Sequence, residues 1–466
     1  MVSCAEQYEN LAATRDSYLD RARECAKVTI PSLIPDTGHN SYARFPTPYQ
    51  GVGARGVNNL ASKLLLALLP PNAPFFRLQV DDFTLEELAG NEDMRASVEE
   101  SLNKIERSIM TEMETDGLRS PMFEALKHLI VAGNVCLYLP KDGGSRVFPL
   151  SRYVVKRDPM GEVLTVIIKE EVAASSLPDD ILMSMDPAIQ RDKDDPVAVY
   201  TKMYREGNKY KMYQQIDNNI IEGTEATYPL DKSPILALRW TAIDGENFGR
   251  SYCDEYLGDL ISLEGLSKAI LEASAAAAKI LFMVNPNGTT RAKDLAQAEN
   301  GDIISGNSAE VTVLQSQKQA DMGIAQQTAS TVTQRLAQAF LMNTSVQRQG
   351  ERVTAAEIRF MAGELEDALG GVYSILSQEF QLPLVSRIMD RMTKAKRIPA
   401  LPKGIVRPAI VTGLEALGRG HDLQKLNLFM QTMGTLGPEA MQSVNMSDLI
   451  SRVGTSLGLD MSGLVK

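Results

Sequence analysis

Residues 252–279 read YCDEYLGDLISLEGLSKAILEASAAAAK, and residues 322–343 read MGIAQQTASTVTQRLAQAFLMN. These two stretches decide the fold. The first carries Leu257, Leu260, Ile261, Glu264, Leu266 and Ile270 at helical spacing and runs into the small residues Glu272 to Ala278. Such a run favours helix and lets neighbouring backbones approach. The second has a narrow apolar stripe (Ala325, Ala329, Val332, Leu336, Ala339/Phe340). Its other face is Gln326, Gln327, Ser330, Thr331, Thr333, Gln334 and Gln338, with Arg335 as the only charge. A helix of that kind folds poorly alone and must be held by its surroundings. Between the two lies a mixed insert, 280–321, with turns at Asn285–Gly288 and Gly301.

Working outward, a break from Asn343 to Val353 contains Gly350, and Thr354 with Glu357 forms a capping box. It opens a long helix over 355–396, with bends expected at Gly370-Gly371 and Pro383. Pro399, Pro402 and Pro408 read as a linker, and the remainder to Lys466 as short helices. Upstream, the chain opens as a helix ended near Pro31 and Pro35. A second helix is expected over Val57–Leu69, stopped by Pro70-Pro71. An acidic amphipathic helix is expected over 84–116, with Leu85, Leu88, Val98, Leu102, Ile105, Ile109 and Met113 as its apolar positions. Residues 121–132 read as helix. From Val135 to about residue 240 the signal is strand: Val147-Phe148, Tyr153–Val155, Val163–Ile168, Val197–Tyr204 and Lys209–Tyr213, separated by turns. The fold class is α+β.

The chain has 466 residues, a net charge of −11, 44% hydrophobic and 23% charged residues. That composition excludes wholesale disorder, collagen and fibre, and argues against an ordinary tight DNA binder. Cys4, Cys25, Cys136 and Cys253 include no CxxC pair, and His39, His128 and His421 lack ligand spacing, so no metal and no cofactor is expected. Reduced thiols fit a cytoplasmic setting. No signal segment and no membrane-length apolar run is visible. Gly51 to Gly56 matches G-x-G-x-x-G, but Phe45 to Gln50 is no central strand and no acid follows at the right distance. The plainer reading is a tight turn packing beneath a helix. The cluster Asp192, Asp194 and Asp195 lacks the glycine and closing glutamate of a calcium loop. No P-loop and no nucleophile elbow is present, so no catalytic residue is assigned.

Five stretches carry a resemblance: 48–68 (PYQGVGARGVNNLASKLLLAL), 123–140 (FEALKHLIVAGNVCLYLP), 245–264 (GENFGRSYCDEYLGDLISLE), 347–385 (QRQGERVTAAEIRFMAGELEDALGGVYSILSQEFQLPLV) and 412–423 (TGLEALGRGHDL). In them the chain resembles the portal, or head-to-tail connector, proteins of short-tailed podovirus-type bacteriophages. The resemblance implies a ring, usually of twelve copies, at one capsid vertex. Double-stranded DNA passes through its axial channel, driven by a separate terminase ATPase. It implies a wing over 1–248, a stem from 249–279 and 322–343, and a clip over 280–321. A channel loop over 344–353, a kinked wing helix with linker over 354–403 and a crown over 404–466 complete it. Relatives carry a Gln/Ala/Met-rich extension, so a chain stopping at Lys466 implies a short crown or a truncated sequence. Partners implied are the terminase large subunit, a tail adaptor, major capsid and scaffolding proteins and internal core proteins, with no membrane. The location implied is the virion, after assembly in the host cytoplasm. The alternative is a scaffold or capsid-associated protein without a channel.

On that map, Gln347, Arg348, Gln349 and Arg352 are the DNA-facing candidates of the channel loop. Arg348 and Arg352 either form a positive collar or pair with acids such as Glu351. Glu264, Lys268, Glu272, Gln327, Thr331 and Gln334 are channel-facing candidates of the stem. Asn285, Asn287, Arg291 and Lys293 are partner-binding candidates of the clip.

Overall fold

The computed structural model describes residues 3–39, 42–71, 74–80, 92–177, 196–216, 219–277, 281–314, 319–342, 365, 368–372, 375–401, 406–410 and 431. The break at 343–353, the capping box at Thr354 and Glu357, the Asp192–Asp195 cluster and nearly all of 411–466 lie outside them.

Helix α1 (Cys4–Lys27) starts where the Ser3 side chain accepts the Glu6 N–H at 3.1 Å. It buries Tyr8, Ala12, Arg15, Leu19, Ala22 and Ala26, a stripe at helical spacing. Helix α2 runs Val52–Leu68, which corrects the expected start at Val57. The glycine motif is not a turn before the helix but its first turns. The Gln50 side chain accepts the Gly53 N–H (2.8 Å) and donates to Val28 O (2.6 Å), fixing that start against the end of α1. Helix α3 (Glu92–Thr115) buries Leu102, Ile105, Ile109 and Met113 as expected, while Val98 is exposed and Leu85 and Leu88 lie outside the described residues. It is followed by α4 (Arg119–Ala132).

The strand region forms two antiparallel sheets. One orders β10 (Ile235–Arg239), β2 (Asn134–Tyr138) and β3 (Arg146–Phe148). The other orders β4 (Tyr153–Arg157), β5 (Val163–Ala173), β6 (Pro196–Glu206), β7 (Lys209–Ile216) and β8 (Asn219–Ile220). The short strand β9 (Ala226–Pro229) also pairs with β7. Period-2 alternation sends Val155, Val166, Ile168, Met203 and Met212 into the main core. Val154, Ile167 and Tyr200 point to the opposite face, where Tyr8 and Ala12 of α1 cover them.

An antiparallel helix pair follows, α5 (Leu257–Ala277) and α7 (Gln319–Ala339), with a four-residue helical turn, Tyr252–Glu255, ahead of it. The insert at its far end is α/β: β11 (Leu281–Val284) pairs with β12 (Val311–Leu314), and α6 (Ala292–Gln297) lies between them.

After residue 365 the chain returns to the body. A π turn, Ser377–Gln381, leads into α8 (Leu382–Lys394). It sits just before Pro383, whose missing N–H and bulky ring an unbroken α-helix would not accept. Glu379 of this turn pairs with Arg239 (3.0 Å) and lies 3.7 Å from Arg157. Gln381 donates to Leu68 O (2.8 Å), closing the end of α2. Last, β13 (Val406–Ile410) pairs with β1 (Phe76–Val80), so Pro408 is a strand residue rather than linker. It opposes Leu78, whose N–H is taken by Glu106 at 2.8 Å, so that ladder position asks no donor of the proline.

Candidate functional site: the helix pair and its anchorage

The base of the pair is an aromatic cluster. Phe340, fully buried just past α7, packs edge-on against Tyr252 (5.6 Å between centroids) and beside Tyr256 (6.1 Å). Trp240 flanks Tyr252 at 5.5 Å. The Tyr252 hydroxyl donates to Ala339 O at 2.7 Å, and burial raises its pKa. Gly56 of α2 makes room for this cluster, since a Cβ there would lie 2.6 Å from the Phe340 ring. A Cβ on Gly53 would lie 2.5 Å from Val28 O.

The last carbonyls of α7 are closed locally, Ala337 O by Met342 N–H (2.7 Å) and Gln338 O by Leu341 N–H (3.0 Å), and the two carbonyls just past the helix take donors from α2. Asn59 Nδ2 donates to Phe340 O (2.9 Å) and Leu341 O (3.0 Å), and buried Lys63 Nζ donates to Leu341 O (2.8 Å). Leu341 takes a left-handed conformation (φ 53°), which turns the chain out of the helix. This α2 ledge fixes where the segment after Met342 sets out. That segment holds Gln347, Arg348, Gln349 and Arg352, all outside the described residues.

Two of the predicted stem residues are committed to the body. Glu264 accepts the N–H groups of Tyr49 (2.9 Å) and Gln50 (3.2 Å), and Lys268 sits over the Tyr49 ring at 5.8 Å. Asp259 and Arg335 pair across the two helices at 2.8 Å. Glu272, Gln327, Thr331 and Gln334 lie on exposed faces, with the Thr331 hydroxyl donating back to Gln327 O at 3.0 Å.

In the insert, Asn285 Oδ1 accepts the Asn287 N–H (3.1 Å) and Asn285 N donates to Glu310 O (3.0 Å), so Asn285 builds the turn. Asn287, Arg291 and Lys293 are exposed. Sequence reading missed the organiser of this tip. Glu310 accepts the Thr290 N–H at 2.9 Å, a bond that lowers its carboxyl pKa, and it fills the space a Gly288 side chain would need. It also missed the Tyr252–Phe340 base and the Asn59/Lys63 ledge. The available signal was the three-residue spacing of Gly53 and Gly56, which puts both on one helix face. All four cysteines are free and buried. Among the described residues no group of three His, Cys, Asp or Glu side chains could hold a metal, and no helix is long and apolar enough to cross a membrane.

What the site offers is contact surface: a helix pair with open aliphatic side chains, an anchored base, and an exposed tip. These are the features of a structural, assembly-forming protein. The family described as "Bacteriophage head to tail connecting protein" matches residues 2–465. The portal protein of Enterobacteria phage T3 is 44% identical, the alignment covering 98% of this chain and 87% of that one. The portal protein of Escherichia phage T7 is 42% identical, with the same coverage. A chain in a solved structure titled as the neck of an empty GTA particle computed with C6 symmetry is 13% identical. It covers 88% of this chain and 90% of that one with a TM-score of 0.40, too distant to carry an argument. The chain belongs to the bacteriophage head to tail connecting protein family. It is a podovirus-type head-to-tail connector of the virion, not an enzyme.

Proposed function

We propose that copies of this chain close into a ring, twelve in number, around an axial channel at the capsid vertex. Double-stranded DNA is packaged and ejected through it. The observation that carries the reading is helix α5. Its apolar residues are spread around the helix between Asp259, Glu264, Lys268 and Glu272, yet it buries only Leu257, Leu260 and Leu263 and leaves Ile261 52% and Leu271 54% exposed. Large aliphatic side chains left open on a helix mark a contact surface, and the missing cover comes from other copies. A head-to-tail contact whose rotation closes gives a ring.

Each copy carries −11, so the ring is strongly acidic. Tight phosphate binding would brake a sliding duplex, and an acidic, weakly hydrogen-bonding wall avoids it. Arg348 and Arg352, with Gln347 and Gln349, form the positive collar that meets passing phosphates. Residues 1–248 serve as the wing, the helix pair as the stem, the insert as the clip, 354–403 as the returning wing helix and 404–466 as the crown. Asn287, Arg291 and Lys293 of the clip meet the terminase large subunit and later the tail adaptor. Major capsid, scaffolding and internal core proteins meet the wing and crown after assembly in the host cytoplasm. Light-scattering mass and an axial electron-microscopy image test the ring. A single large species with a central hole is expected, and a monomer or an assembly without a hole refutes the conduit.

A further inference from the structure

Among the described residues nothing requires Gly258 and Gly265 of α5 to be glycine. Neither has a positive φ, and a Cβ on either would meet nothing within 4 Å. Each forgoes helix stability relative to alanine and gains no local contact. At seven residues apart they share one face, separated by about 10.5 Å along the axis. Exposed Ile261 lies between them. On α7 the exposed face presents Gln327 and Gln334, also seven apart. Holes and knobs therefore have the same spacing. They also have the same height: the Asp259–Arg335 ion pair and the Tyr252–Phe340 contact place Gly258 level with the Gln334 turn and Gly265 level with the Gln327 turn.

We propose that the open face of α5 receives α7 of the next copy, with Gln334 seated over Gly258 and Gln327 over Gly265. The proposal rests on the ring reading, in which neighbouring copies stand at one height. A second copy is the occupant because knob spacing and level match, and because the α7 row is uncharged. It can cover Ile261 without burying an ion. The contact uses a different face of each helix, as a closing ring requires. Gln327 and Gln334 thereby leave the channel wall, where the sequence reading put them with Thr331.

The test uses the full chain with Gly265→Leu, alone and combined with Gln327→Ala. A leucine at 265 meets open space in a single copy, so helicity by circular dichroism stays at the wild-type level. Ring content by light scattering falls at least ten-fold at a concentration where wild type is fully assembled. Gln327→Ala in the same chain restores it. Independently, Gly258→Cys with Gln334→Cys yields a ladder of multimers on a non-reducing gel after oxidation, which neither single variant yields. Wild-type assembly by Gly265→Leu, or rings of the cysteine pair that give no ladder, overturns the proposal. If Gly265→Leu loses helicity, the cysteine pair decides. A wild-type chain that stays monomeric refutes the ring itself, which keeps the two failures apart.

Discussion

A single absent methyl group at Gly56 sets how closely α2 meets the base of the helix pair. Phe340 is wedged between Tyr252 and Tyr256 and cannot retreat. Gly56→Ala gains about 0.5–1 kcal/mol of helix propensity but overpacks a filled site, at about 1–3 kcal/mol. A lowered urea midpoint is expected. His128 of α4 makes a pH-dependent contribution. It is 3% exposed, and burial followed by the nearby Lys127 charge pushes its pKa down to about 4. The folded state keeps it neutral, while the unfolded chain takes up a proton near pH 6.5. Its contribution is therefore complete above that pH and is lost as pH falls toward 4, by at most about 3 kcal/mol. His128→Leu should flatten this part of the stability profile, read as a smaller difference between urea midpoints at pH 7 and pH 5.

Helix α7 is the element whose stability is borrowed. Its uncharged polar face adds little, and the turn that ends it is held by donors from α2 to Phe340 O and Leu341 O. Lys63→Met keeps the bulk of the side chain but removes the ammonium donor to Leu341 O. Such a charge-assisted bond is worth about 1.5–3 kcal/mol. Faster amide exchange is expected in the last turns of α7 with the β sheets unchanged. At this scale the sequence was largely legible. The strands from Val147 to Tyr213 alternate because one face meets the core, and Leu102 to Met113 repeat because α3 does the same. Less legible was anything set by a partner far along the chain. Glu264 resembles a channel carboxylate by charge alone, but the amides of Tyr49 and Gln50 claim it. The helix start at Val52 was hidden because glycines signal turns, whereas here Val28 and Phe340 require them. Pro408 suggested linker because nothing local reveals that β1 waits for it.

For the whole molecule, charge is the governing quantity. If copies close into the proposed ring with Arg348 and Arg352 as its basic collar, it should grip DNA weakly, and the collar should matter for movement rather than assembly. Arg348→Glu should leave ring mass unchanged while altering packaging rate or DNA retention. Unchanged packaging would assign Arg348 a structural role. The aromatic base has a broader consequence. The chain leaves the body at Tyr252 and re-enters at Phe340, and these two rings touch. Everything between them hangs from a closed doorway. The body meets the same base whatever length or sequence lies at the far end, and the cost of closing a longer excursion grows only slowly with its length. Body contacts reach Glu264 and Lys268 on α5 and Ala329 on α7, so the exchangeable part of the excursion is 269–328. A lineage could swap the outer tip for one fitted to a different partner while leaving the body untouched.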